Sequence, residues 1–213
     1  MEIIMRPGIL VPAVVVSLSA INILHAKENP GTAEPEQVSA SGVIRELNLA
    51  RENPGLYADF VAESRPFHMI EHGHAVDEAV RFLKKAHPLP PLALSTGMCR
   101  AAADHCAEQI GGQLGHDGNG RSSPGDRISR YGSWSSSWGE NISYSQKTAR
   151  GVVLALIIDD GVRSRGHRKN IFNPKFNYAG AAFGVHARYR TVCTIDFAGG
   201  YAERSESLVA KNP

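Results

Sequence analysis

The apolar residues of this 213-residue chain change their period part-way along, and that change limits the fold more than any other feature. From residue 41 to about 111 they recur every three or four positions, the repeat of helices with one buried face. Val43, Ile44, Leu47 and Leu49 mark the first stretch, which Ser41 would cap and Asn53-Pro54-Gly55 would stop. A short helix over 56–62 and a turn at Arg65-Pro66 follow, and Ala75, Ala79, Phe82 and Leu83 set another helix over 74–86. The clearest helix starts at Ser95. The glycine- and serine-rich stretch 111–137 reads as a loop. Beyond it the period drops to two, so 138–144, 178–186 and 190–197 predict strands, the last two joined as a hairpin. Between them Thr148 would cap a helix through Ile158, with Gly161 where a C-terminal glycine belongs, and Pro174 ends a short segment over 170–172. Helices first and strands later, without regular strand–helix–strand alternation, predict an α+β domain built in layers.

The chain is uncharged from Gly8 to Leu24, follows Arg6, and reaches a small residue, Ala26, just before Lys27. This predicts a signal peptide over 1–26, then a polar linker over 27–40, a folded domain over 41–203 and a tail over 204–213. Pro12, Ser17, Ser19 and Asn22 make the apolar run a poor spanning helix. The mature chain is therefore expected to have no transmembrane span and to be secreted, either extracellular or periplasmic. Lys and Arg number 23 against 21 Asp and Glu, a net charge of +2. That balance argues against a dedicated nucleic-acid binder, and nucleotide-binding glycine loops are missing. The cysteines Cys99, Cys106 and Cys193 are too few for a disulfide scaffold. Cys99 and Cys106 sit two helical turns apart, roughly 10 Å, too far to bridge each other. With Ala102, Ala103 and Ile110 they read as one buried stripe; the alternative is a bridge from one of them to Cys193.

Chemistry-bearing residues fall at the joints between these elements. Alternation puts Glu140 on the face of Trp138, Ile142 and Tyr144, where a carboxylate must be paired or bound to a cation. His116 follows a run of glycines, and His167 follows Gly166 at the start of a short helix. Two imidazoles and a carboxylate are residue types that can hold Zn²⁺ or another divalent ion. Asp159 and Asp160 close a helix at its unfavourable end, and Arg163, Arg165, Arg168 and Lys169 follow. Those cations either neutralise the acids locally or leave one Asp to face His167. Glu71-His72-Gly73-His74 reads as a solvated turn, and Ser133, Ser135, Ser136 and Ser137 stand outside any nucleophile elbow.

In chain order, Gly115-His116, Trp138-Gly139-Glu140-Asn141-Ile142, Gly166-His167-Arg168-Lys169-Asn170-Ile171, Asn173-Pro174, Ala179 to Gly184 and Ile195 to Gly199 resemble the CAP superfamily, or SCP domain, in its bacterial secreted form. The resemblance spans about 92–200 and extends to the helix and turn of 48–57. It implies a three-layer α-β-α sandwich, with a central, mainly antiparallel sheet and a cleft holding two histidines and two acids. His116, Glu140 and His167 match three of these; Asp159 or Asp160 stands in place of the fourth, where other members carry Glu. The disulfides of animal members have no counterpart here. The resemblance implies a non-enzymatic module that binds a lipid or small molecule, with a divalent cation (Zn or Mg) on His116, Glu140 and His167. Its rival is a metal-assisted hydrolase with Glu140 as base. A third reading is a module meeting a cell-envelope or host surface through the basic turn 163–169.

Overall fold

The computed structural model describes residues 39–65 and 73–205, all within the unit Glu34–Pro213. The expected signal peptide, nearly all of the linker, Pro66, Glu71, His72 and most of the tail lie outside the described residues.

Helix α1 (Ala40–Glu52) starts two residues earlier than its expected cap allows, because Ser39 accepts the Gly42 N–H at 3.0 Å. Asn53 ends it and Pro54 at once opens α2 (Pro54–Glu63), where a missing N–H costs nothing. Helix α3 is Gly73–Leu83, and a two-residue strand β1 (Ala93–Leu94) leads to α4 (Thr96–Glu108), capped by Ser95. The buried face of α4 carries Met98, Ala101, Ala102, His105 and Cys106, whereas Ala103 and Ile110 are exposed. The stripe is thus rotated from the expected one. All three cysteines are free.

The largest departure from expectation falls in 111–137, which is not all loop. Ser123-Pro124-Gly125-Asp126 forms a capping box and starts α5 (Pro124–Tyr131). Strand β2 then runs over Gly132–Tyr144, six residues longer than predicted at its start. Its first half is serine-rich and exposed, so hydrophobic alternation does not reveal it. Helix α6 (Ala149–Ile158) begins at the Thr148 cap, as expected. It ends on Asp159, whose left-handed φ of 55° takes the capping role assigned to Gly161. Helix α7 (Gly166–Ile171), β3 (Tyr178–His186) and β4 (Arg190–Glu203) complete the described domain.

The sheet order is β1-β3-β4-β2: β3 and β2 flank β4 antiparallel, and only the short β1 pairs in parallel, with β3. Helices α4 and α5 cover one face through Met98, Ala101 and Ile128 against Ala198. On the other face, α1, α2, α3 and α6 build the main core, with Leu47, Tyr57 and Ile157 beside Ile195 and Phe197. The result is the α-β-α layering. Arg51, 1% exposed, ties the layers without any acid: its guanidinium donates to the carbonyls of Pro90, Ile171, Asn173 and Phe176. Among the described residues no helix is long and apolar enough to cross a membrane.

Candidate functional site: two histidine–carboxylate pairs beside an edge strand

Strand β2 is a sheet edge, and its two faces feed two different polar clusters. Alternation sends Glu140 towards α4 and α5, and Asn141 towards α7. Glu140 is buried, with only 1% of its side chain exposed, as its apolar face requires. Its Oε1 lies 2.7 Å from Nδ1 of His116, and its Oε2 accepts from Nη2 of Arg127 at 2.7 Å. Arg127 is fully buried and also donates to the carbonyls of His116 and Ser122, so one guanidinium fixes both the carboxylate and the loop carrying its imidazole. That loop passes so close at Gly118 that a Cβ there would lie 2.3 Å from Oε2 of Glu108.

His105 is also fully buried in this cluster. Its Nδ1 faces Glu108 at 3.0 Å, its Nε2 faces the Gly115 carbonyl at 2.9 Å, and Oε1 of Glu140 lies 3.9 Å away. Asp196, opposite Glu140 on β4, is fully buried, and neither carboxyl oxygen has a hydrogen-bond partner among the described residues. Burial, and then the negative Glu140, push its pKa well above the usual carboxylate range.

The second pair lies across the strand. Asp159 accepts from or faces His167 with both oxygens: Oδ1 sits 2.6 Å from the ring Nδ1, and Oδ2 accepts the His167 N–H at 2.9 Å. Arg168 does what the neutralising reading asks, donating to the carbonyls of Ile157 and Ile158 at the end of α6 and to Glu78. Glu78 also receives Arg165, and these two guanidinium groups hold its carboxyl down to about 2. Of the two acids open in the sequence, Asp159 therefore meets His167; Asp160 turns its Oδ1 to the Gly161 N–H. Asn141 donates to the His167 carbonyl at 3.0 Å, and Asn170 donates to the Glu140 carbonyl and to Asn141 Oδ1, which seats α7 against β2.

A cavity of about 330 Å³ opens at this second pair, between β2, the end of α6 and the β3–β4 turn. Asp159 and His167 line it, with Ser143, Tyr144 and Tyr189. His116 and Glu140 do not line it. The structure thus joins His116 to Glu140 and His167 to Asp159. Among the described residues, no group of three or more His, Cys, Asp or Glu side chains could hold a metal ion. Arg127, His105 and Ser143 were not singled out from sequence. The capping box at 123–126 signals the helix that carries Arg127, and a histidine on the apolar side of α4 signals a buried polar cluster.

Residues 44–197 match the family described as "CAP: Cysteine-rich secretory protein family". The uncharacterized protein YkwD of Bacillus subtilis (strain 168) is 27% identical over 154 residues, covering 71% of this chain and 58% of YkwD. The chain therefore spans less than two thirds of that relative's length. An extracellular protein containing a SCP domain from Bacillus anthracis str. Ames aligns with a TM-score of 0.42 and 24% identity, over 56% of this chain and 37% of that one. A cysteine-rich secretory protein from Staphylococcus aureus subsp. aureus Mu50 aligns with a TM-score of 0.37 and 14% identity, over 62% and 41%. With the family match running from α1 to β4, the chain belongs to the CAP family of cysteine-rich secretory proteins.

Proposed function

We propose that this protein is a secreted, non-enzymatic CAP domain that binds a small molecule in the cavity beside β2. The observation that carries this reading is His167: Asp159 holds its Nδ1, its Nε2 has no partner among the described residues, and its side chain lines the cavity. A carboxylate on one ring nitrogen sets the orientation of the other, the usual way an imidazole is readied for a ligand. Secretion rests on the uncharged N-terminal run and on membership of a family described as secretory.

A divalent ion held jointly by His116, Glu140 and His167 does not fit this arrangement. Both Glu140 oxygens are engaged, and Arg127 already supplies the cation that its charge needs. A catalytic zinc ordinarily takes three protein ligands, and the two imidazoles with no Nε2 partner supply two. A lipid remains supported by a separate apolar cavity of about 350 Å³, lined by Phe82, Leu89, Phe172 and Pro174 with Lys85 and His87.

The test is a screen of small polar fragments by amide chemical-shift perturbation. The expected result is shifts concentrated at Ser143, Ser145 and His167 and lost in His167→Ala. Shifts confined to the Phe82–Phe172 cavity would favour the lipid site instead, and no saturable shift at either would end the ligand-binding reading.

A further inference from the structure

The β2 cavity has a lining that selects by charge. Its acidic residues are Asp159 and Asp160, and neither Lys nor Arg lines it. Two aromatic side chains line it with the acids: the Tyr144 and Tyr189 rings lie 5.3 Å apart at 42°. Ring faces attract cations, and the Arg188 guanidinium lies 5.2 Å over one face of Tyr189, leaving Tyr144 and the other face of Tyr189 to a ligand. A carboxylate or phosphate entering the cavity would meet like charge and the negative faces of the rings.

The cavity also offers hydrogen-bond acceptors. Ser143 is only 6% exposed and lines the cavity, where its hydroxyl oxygen is placed to accept from a ligand. When Asp159 accepts the Nδ1–H of an uncharged imidazole, Nε2 of His167 offers a lone pair directed away from that carboxylate. The rest of the floor is apolar: Ile142, Ala155, Leu156 and Val162. Ser145, which also lines the cavity, is held in the left-handed region with a φ of 68°.

We infer that this cavity recognises a protonated primary amine carried on a short apolar stem, such as an alkylammonium or a lysine-like side chain. An ammonium has three donors and no acceptor, which complements Ser143 Oγ, His167 Nε2 and the tyrosine faces. The stem covers Leu156 and Val162, as long cationic side chains cover apolar surface elsewhere. A quaternary ammonium would satisfy the rings but leave the Ser143 hydroxyl without a donor. This assignment rests on the reading of the cavity as the ligand site and names its chemical class.

Three probes of matched shape separate the possibilities: n-butylamine, which is protonated at neutral pH as lysine is, 1-butanol and butyrate. Each is titrated into the EDTA-treated protein, followed by calorimetry and by the amide shifts of Ser143, Ser145 and His167. The expected result is that butylammonium binds about tenfold or more tightly than butanol, a difference of about 1.4 kcal/mol, and that butyrate does not saturate. Ser143→Ala should weaken butylammonium several-fold without lowering the melting temperature. Should that variant fail to fold, Tyr189→Leu removes one ring face from a half-exposed turn and should weaken it likewise. Equal binding of butanol, or tighter binding of butyrate, overturns the amine assignment while leaving the cavity as the ligand site. No shift with any of the three also overturns it, and the fragment screen then decides separately whether the cavity binds ligands at all.

Discussion

Asp159 grips His167 at two points, the ring Nδ1 at 2.6 Å and the backbone N–H at 2.9 Å, from a left-handed backbone with φ 55°. One residue therefore ends α6, starts α7 and aims an imidazole. Asn tolerates the left-handed conformation nearly as well as Asp, but Ala does not. Asp159→Asn should cost about 1–3 kcal/mol through lost charge-assisted bonds, and Asp159→Ala about 1 kcal/mol more. Urea unfolding of the two variants checks this; equal losses would mean that the backbone conformation contributes nothing.

The buried pair of Arg127 and Glu140 should behave as a unit. Either single change, Arg127→Met or Glu140→Gln, leaves a partner uncompensated in the layer beneath α4 and α5. Each should cost about 3–5 kcal/mol, while the double variant should cost much less than their sum. A double-mutant cycle on equilibrium unfolding measures the coupling, and simple additivity would contradict the geometry.

Asp196 makes stability depend on pH with the opposite sign to most acids. Its folded pKa is raised, chiefly by burial and then by Glu140. Above the ordinary carboxylate value the unfolded chain releases this proton while the folded chain keeps it, so this group's contribution to stability falls as pH rises through that window. Asp196→Asn keeps the shape of the neutral acid and removes the titration. Its advantage over the parent should be smallest near pH 4 and grow towards neutral pH. Chemical denaturation across that range tests it; a constant difference would show that Asp196 is ionised in the fold.

Gly180 lets β3 touch α4. An added Cβ would lie 2.3 Å from Cys99 N and 2.4 Å from Met98 C, both backbone atoms that cannot swing aside. Gly180→Ala should therefore push the helix from the sheet and cost about 3 kcal/mol, visible as a lowered melting temperature. An unchanged melting temperature would mean that α4 is not seated this closely.

Where residues signal their structure to near neighbours, the sequence was legible. Thr148 stands as a cap where expected, and the helix expected from Ser95 begins there, because a helix start is signalled within the next turn. Alternation placed Glu140 on a buried face for the same reason. The same local view missed β1, whose two residues carry no period, and the serine-rich half of β2, whose polar side chains face solvent in either conformation.

The ordered motifs from Gly115-His116 to Gly199 were enough to identify the family, and the change of period was enough for the α+β class. Which carboxylate each histidine meets was a tertiary decision. His116 and Glu140 are 24 residues apart and Arg127 lies 13 from Glu140, so their meeting depends on how α5 and the loop before it close over β2. That closure seats Arg127 on Glu140 and leaves His167 to Asp159 across the strand. Periodicity reports only which face a side chain takes; the identity and depth of its partner emerge when distant segments pack together and exclude water.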